Sequence, residues 1–406
     1  MKINSLFITL FLIFTLNHIL FSQDIETSGR VTNSIYVFEG KKTDGTTGAT
    51  THTLLYQYLR FSAKARELNN LSFNVSARAL TDLAQSLESE ERFRAYRLSI
   101  SMQNLFNNFL DFEIGRQFLH PGITLGSLDG ANVNLKFTKQ LNWQIYGGVE
   151  THLFRAFKIY EFDQAAVYGT KIKYRQLLNS DLELAYLHKR SNSVDQWQIA
   201  GFNFSNYSLE WIQFLGQLHY DLVNSRIHRI YFTTRFLPNH KWNLIFNYKQ
   251  QYPQIYGDSF FKIFNVYQYH QAGISAGYAI TDRYSINGRY NLIQLKEGQG
   301  HRAVVTLSDL NGSIGVFFEG GDLGNQLGVV LDYGYEFLPG LIASLSVDYS
   351  RYKFEEIYEY ENQLANALRV VYKFAENWRV DLEYQLLNNR FKDSDHRVLN
   401  HIHFVW

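Results

Sequence analysis

The chain has 406 residues, 46% of them hydrophobic and 19% charged, with 39 basic against 38 acidic side chains. That balance excludes a disordered charged tail protein and gives no basic surface on which nucleic acid would settle. Without a single cysteine, disulfide frameworks, Cys-ligated zinc, iron–sulfur clusters and thiol catalysis drop out together.

The amino terminus reads as an address. Lys2 precedes an apolar stretch over 6–16 that continues past Asn17 and His18 to Phe21, and Ser22 and Gln23 then lead into Asp24, Ile25 and Glu26. A charged start, an apolar centre and a small residue at the cut make a secretory signal over residues 1–22, leaving 23–406 as one unit. An uncleaved membrane anchor is the alternative, and the short, interrupted apolar stretch argues against it. Further on, no apolar run approaches the ~18 residues that a spanning helix needs.

From Arg30 onward the dominant period is two. Strict alternation of large apolar with polar residues runs through 96–103, 131–137, 242–249, 284–292, 327–337, 343–349 and 378–386. In 378–386, for example, Trp378, Val380, Leu382, Tyr384 and Leu386 alternate with Arg379, Asp381, Glu383 and Gln385. Successive side chains of a strand point to opposite faces, so each segment has one apolar and one polar side. Short breaks such as Asn69-Asn70, Asn179-Ser180, Thr281-Asp282 and Glu376-Asn377 take turns with longer polar ones over 40–52, 83–91, 120–129, 151–164, 253–261 and 355–361. All four prolines fall in breaks, as befits a residue without an amide donor.

Short turns alternating with long loops are the pattern of an up-and-down membrane barrel. A soluble β-sandwich would alternate too, but it buries mostly Val, Ile and Leu. Here the apolar face ends repeatedly in aromatics, at Tyr284 and Tyr290, Tyr333 to Phe337, Tyr372 and Phe374, and Trp378 and Tyr384. Tyr and Trp collect at membrane interfaces because the ring is apolar while its tip stays wet. The expected fold is therefore all-β, a single transmembrane antiparallel barrel of about 18–22 strands. The first strand-like segment starts within a few residues of the cut, so no plug domain is expected. The last strand, His401 to Trp406, alternates and ends in an aromatic. It resembles the C-terminal signal of bacterial outer-membrane barrels, which implies that Phe404 and Trp406 are read by the barrel assembly machinery.

Taking the apolar parity as lipid-facing puts a basic wall inside the barrel, made of Arg60, Arg78, Arg97, Lys136, Lys171, Lys173, Arg175, Arg229 and Arg289. Such a ladder attracts anionic solutes, although pairing with carboxylates on neighbouring strands is the plainer role. The most specific stretch runs from Phe112 through Gly115-Arg116-Gln117 to His120-Pro121-Gly122, followed by Asp129-Gly130-Ala131. Together with Arg94-Ala95-Tyr96-Arg97-Leu98, it resembles porins of the alginate export family over 94–148, about an eighth of the chain. The resemblance implies a pore constriction at Arg116, Gln117 and Asp129. The long loop expected after Gly-Arg-Gln is short here, and an Arg-rich run ahead of the Asp is missing. Parity groups Arg116 with Leu110, Phe112 and Ile114, so a bulge would be needed to reach water, and a rim salt bridge to Asp129 is the alternative.

Enzyme readings find little footing. His401 and His403 with His396 are the one metal-like set, and two imidazoles without a third fixed ligand are weak, so no metal and no cofactor are expected. Gly320-Gly321-Asp322-Leu323-Gly324 is a turn between strands, and no Gly-x-Ser-x-Gly elbow occurs. The expectation is a non-enzymatic porin-like channel in a Gram-negative outer membrane. It would face lipid and lipopolysaccharide outside and pass small hydrophilic solutes, anionic carbohydrates among them. The alternatives are a barrel hydrolase of lipase or protease type and a closed structural or adhesive barrel.

Overall fold

The computed structural model describes residues 25–41, 49–68, 70–84, 92–120, 122–123, 126–152, 157–253, 267–322, 324–353, 359–390 and 392–406. The proposed signal over 1–22 lies outside the described residues. In chain order the strands begin with β1 (Ile25–Lys41), β2 (Ala49–Ala65), β3 (Leu71–Asp82), β4 (Phe93–Asn104), β5 (Leu110–Leu119), β6 (Gly126–Lys136) and β7 (Leu141–Glu150). The wall continues through β8 (Ala166–Leu177), β9 (Ser180–Ser191), β10 (Val194–Leu209), β11 (Ile212–Asp221), β12 (Arg226–Phe236), β13 (Trp242–Gln251) and β14 (Tyr269–Ala279). It is completed by β15 (Ser285–Leu295), β16 (Gly298–Ser308), β17 (Gly312–Gly321), β18 (Asn325–Leu338), β19 (Leu341–Lys353), β20 (Glu361–Ala375), β21 (Trp378–Asn389) and β22 (Lys392–Val405).

Each strand pairs antiparallel with the next, and β22 returns to pair with β1, so the 22 strands close one barrel without an edge. Closure satisfies every ladder amide, which is what a sheet must do in lipid. The seam is sealed at its end by reciprocal bonds between Gly29 and Trp406, N–H to O at 3.1 and 3.2 Å. Gly29 is needed there: a Cβ on it would lie 2.1 Å from the Trp406 ring.

Both termini share one end of the barrel, where every connection is tight. Leu178 and Asn179 form a two-residue turn there with positive φ at both positions, the geometry that matches strand twist. The longer connections all lie at the opposite end, after β1, β3, β5, β7, β13 and β19. The alternation expected from sequence is broken at five places, because the connections after β9, β11, β15, β17 and β21 are also short. Asn192 and Ser193, both at positive φ, make the first of these as tight as any turn at the other end.

The apolar parity faces out, with Ile114, Ile172, Leu184, Phe246, Val305, Val316, Leu368 and Leu382 all exposed. Two aromatic rings of different chemistry bound this band. At the terminus-bearing end Trp143 lies against Phe137, Trp211 against Phe236, Trp242 against Tyr278 and Trp378 against Phe404, with centroids 4.7–6.3 Å apart. At the loop end the pattern is a tyrosine hydroxyl on a histidine Nδ1: Tyr248 with His270 at 2.9 Å, and Tyr290 with His301 and Tyr384 with His396 at 2.6 Å.

Candidate functional site in the barrel lumen

The lumen is built by the polar parity. Register puts Arg60 opposite Arg30, Arg97 opposite Ser76, Lys136 opposite Asn142, Lys171 opposite Gln144, Lys173 opposite Asn142, Arg229 opposite His219 and Arg289 opposite Ser275. Arg78 shares that face with Tyr58, and Arg175 lines one groove with Lys171 and Lys173. That groove, on the inner wall of β4–β8, also holds Asp111, Glu113, Asn132, Asn134 and Gln144.

Part of the wall is neutralised. Glu113 holds Arg97 at 2.6 Å, Asp111 holds Lys136 at 2.7 Å and Asp181 holds Lys173 at 3.3 Å. Asp381 lies between Arg369 and Arg379 at 2.7 and 2.8 Å, Glu150 holds Lys189 at 2.6 Å and Glu319 holds Arg302 at 2.9 Å. Among the described residues, Arg30, Arg60, Arg78, Arg229, Lys249 and Arg289 have no carboxylate within 4.0 Å. Several use neutral partners instead: Arg78 sits over the Tyr56 ring, Arg229 over Tyr231 and Lys249 over Tyr269, at 5.2–5.6 Å. Asp332, Asp348 and Glu336 on β18–β19 hold no base within that distance. β12 follows β1 by 11 steps of the 22-strand order, with Arg30 and Arg60 nearer the terminus-bearing end and Arg229 and Lys249 nearer the loop end.

The β5–β6 connection folds inward. Gly122 O accepts from Asn203 Nδ2 at 2.8 Å, and Asn203 Nδ2 also reaches Glu183 at 2.9 Å. Ile123 packs with Leu119, Leu128, Tyr146, Ala185, Leu187 and Ile199 in an apolar cluster on the inner side of β5–β10. Gly122 and Ile123 of this connection thus lie against the inner wall toward its loop end.

The constriction expected at Arg116, Gln117 and Asp129 is not built that way. Arg116 pairs in register with Leu98 and Asp129 with Val149, on the outer parity. Their side chains form a two-pronged ion pair at 2.7 and 2.8 Å and are only 6% and 7% exposed. Gln117 lies on the inner parity but is 1% exposed, its amide given to Gly130 O at 3.2 Å. The parity of β5 runs unshifted from Leu110 to Leu119, which keeps Arg116 with Phe112 and Ile114. β4 carries an extra residue at Tyr96, Gly115 takes φ 112°, and Arg116 Nη1 turns to Ala95 O at 3.1 Å. The three residues hold the hairpin that carries the inward connection, and none of them lines the bore.

No family profile matches this chain, and no curated protein does. Solved structures resemble it at low identity. OccAB2 of Acinetobacter baumannii is 13% identical, with 94% of this chain and 98% of that one covered at a TM-score of 0.45. The outer membrane protein OpdK of Pseudomonas aeruginosa is 10% identical, covering 95% and 99% at 0.45, and its structure with vanillate gives 0.44. With scores under 0.5 these likenesses decide nothing about this chain; its own register does. The resemblance to the alginate export family accordingly rests on 94–148 alone.

The inward apolar cluster had a signal in the sequence. Leu184-Ala185-Tyr186-Leu187 is apolar on both parities, which a water-facing wall does not need. Among the histidines, His401 and His403 share the inner face, bonded to Ser34 at 2.6 Å and Thr32 at 2.9 Å, while His396 faces out. Among the described residues no three metal-ligating side chains come together.

Proposed function

We propose that this chain is a porin-like channel of a Gram-negative outer membrane, passing small hydrophilic solutes by diffusion and favouring anions. One observation carries the reading: a closed sheet, apolar outside and polar inside, whose inner face bears at least six bases without carboxylate partners among the described residues. Field lines in a low-dielectric bore focus such charge and raise the local concentration of counter-ions. No energy coupling or cofactor enters. In this reading residues 1–22 direct export, and Phe404 and Trp406 are presented to the assembly machinery from the terminus-bearing end. The loop end meets lipopolysaccharide. The resemblance over 94–148 supports acidic carbohydrate as one solute class, whereas the buried Arg116–Asp129 pair speaks against a filter at those positions.

The test is reconstitution of the refolded mature chain in a planar bilayer in potassium chloride. Discrete conductance steps are expected. A well-folded barrel that gives none would sink the channel reading and favour a closed one.

A further inference from the structure

One stretch of inner wall, from β1 to β4, combines rings and guanidinium groups in a graded order. Toward the loop end, Phe38 stacks on Tyr36 at 4.7 Å and on His52 at 5.1 Å. Below them Tyr56 and Tyr58 stack at 6.1 Å. Register then brings Arg78 opposite Arg94 and Arg30 opposite Arg60. Like charges directly opposite one another destabilise a sheet, so folding by itself gives no reason for the Arg30–Arg60 pair. Among the described residues Arg30, Arg60 and Arg78 have no carboxylate to relieve the repulsion, and Arg78 Nε is buried with no hydrogen-bond partner.

We propose that this wall is a subsite for solutes that join a flat ring to a phosphate monoester. The inference rests on the channel reading above and adds a ligand class to it. A carboxylate carries one charge and is satisfied by one guanidinium fork; a phosphate monoester carries nearly two charges and three terminal oxygens, enough for both members of an opposed arginine pair. The ring stacks against the Tyr56–Tyr58 pair, which lies on the inner parity. Alternate residues of a strand are about 7 Å apart, so a solute on Tyr58 sets its phosphate against Arg60 and Arg30 one rung below.

The experiment is single-channel recording with phenyl phosphate, benzoate or inorganic phosphate added on the loop side. Phenyl phosphate is expected to give resolved blockades at least about tenfold longer than either partial probe, the worth of one charge-assisted contact or one stacked ring. Arg30→Gln with Arg60→Gln is expected to reduce them to the benzoate level, and Tyr56→Leu with Tyr58→Leu to the inorganic phosphate level. Equal blockades by benzoate and phenyl phosphate, or blockades that survive the arginine changes, overturn the subsite. Normal conductance without any blockade also overturns it and leaves the channel standing, whereas absence of conductance defeats the channel reading itself.

Discussion

Replacing Asp129 with leucine isolates what the Arg116–Asp129 pair does. The substitution removes two charge-assisted bonds of 2.7 and 2.8 Å from a guanidinium that is 6% exposed and also bonds the Ala95 carbonyl. Two such bonds at about 1.5–3 kcal/mol each, or a buried pair broken on one side, both give about 3–5 kcal/mol of destabilisation. Solvent screening does not reduce it, since neither side chain meets bulk water. The double replacement Arg116→Met with Asp129→Leu removes the buried guanidinium as well and is expected to recover most of the loss. Urea unfolding of the vesicle-reconstituted barrel, followed by tryptophan fluorescence, measures both. Channels formed by the folded fraction of Asp129→Leu should keep their conductance and ion preference. A stability change under about 0.5 kcal/mol together with altered selectivity would refute the latch and restore the filter.

Three further outcomes follow from particular contacts. Gly29→Val drives a side chain into the Trp406 ring and should slow barrel closure, with Trp406→Ala in the same chain restoring the refolding rate seen by gel mobility. Asn203→Leu deletes the bond to Gly122 O, worth about 1 kcal/mol, and should widen the bore, read as larger single-channel conductance; an unchanged value would place the inward connection outside the ion path. In the turn after β16, the amides of Asn311 and Gly312 donate to Asp309 at 2.8 Å and, with Arg283 nearby, hold its carboxyl below the usual 3.8. A depressed folded value contributes stability that is present above the unfolded pKa and lost as pH falls through the folded one. Asp309→Asn should therefore weaken the barrel above about pH 4 and narrow its difference from wild type in stronger acid; an equal difference at both pH values would remove Asp309 from the account.

Alternation along single strands such as 378–386 and 284–292 was enough to separate the two faces, and the breaks between strands allowed the observed count of 22. The basic parity was legible for the same reason: where β8 runs without interruption, reading every second residue reaches Lys171 and Lys173, and Arg229 begins the unshifted part of β12. In β5 the two-residue rule held, keeping Arg116 with Phe112 and Ile114 in an unshifted register; what single-strand reading missed was the extra residue at Tyr96 in β4. Pairing was not legible at all. That Asp381 is shared by Arg369 and Arg379, while Arg60 faces Arg30, depends on register between strands, which single-strand periodicity does not contain. The Tyr–His pairs at the loop end escaped notice likewise, being cross-strand partners such as Tyr290 and His301.

The central claim is an open bore whose unpaired bases select anions. It is tested most directly by the zero-current potential of single channels under a potassium chloride gradient. Wild type is compared with a chain in which Arg60, Arg78, Arg229 and Arg289 are all glutamine. The account expects wild type to reverse on the chloride side and the variant to move toward or past zero at similar conductance. A wild-type potential favouring potassium, or one unmoved by the four substitutions, would contradict it.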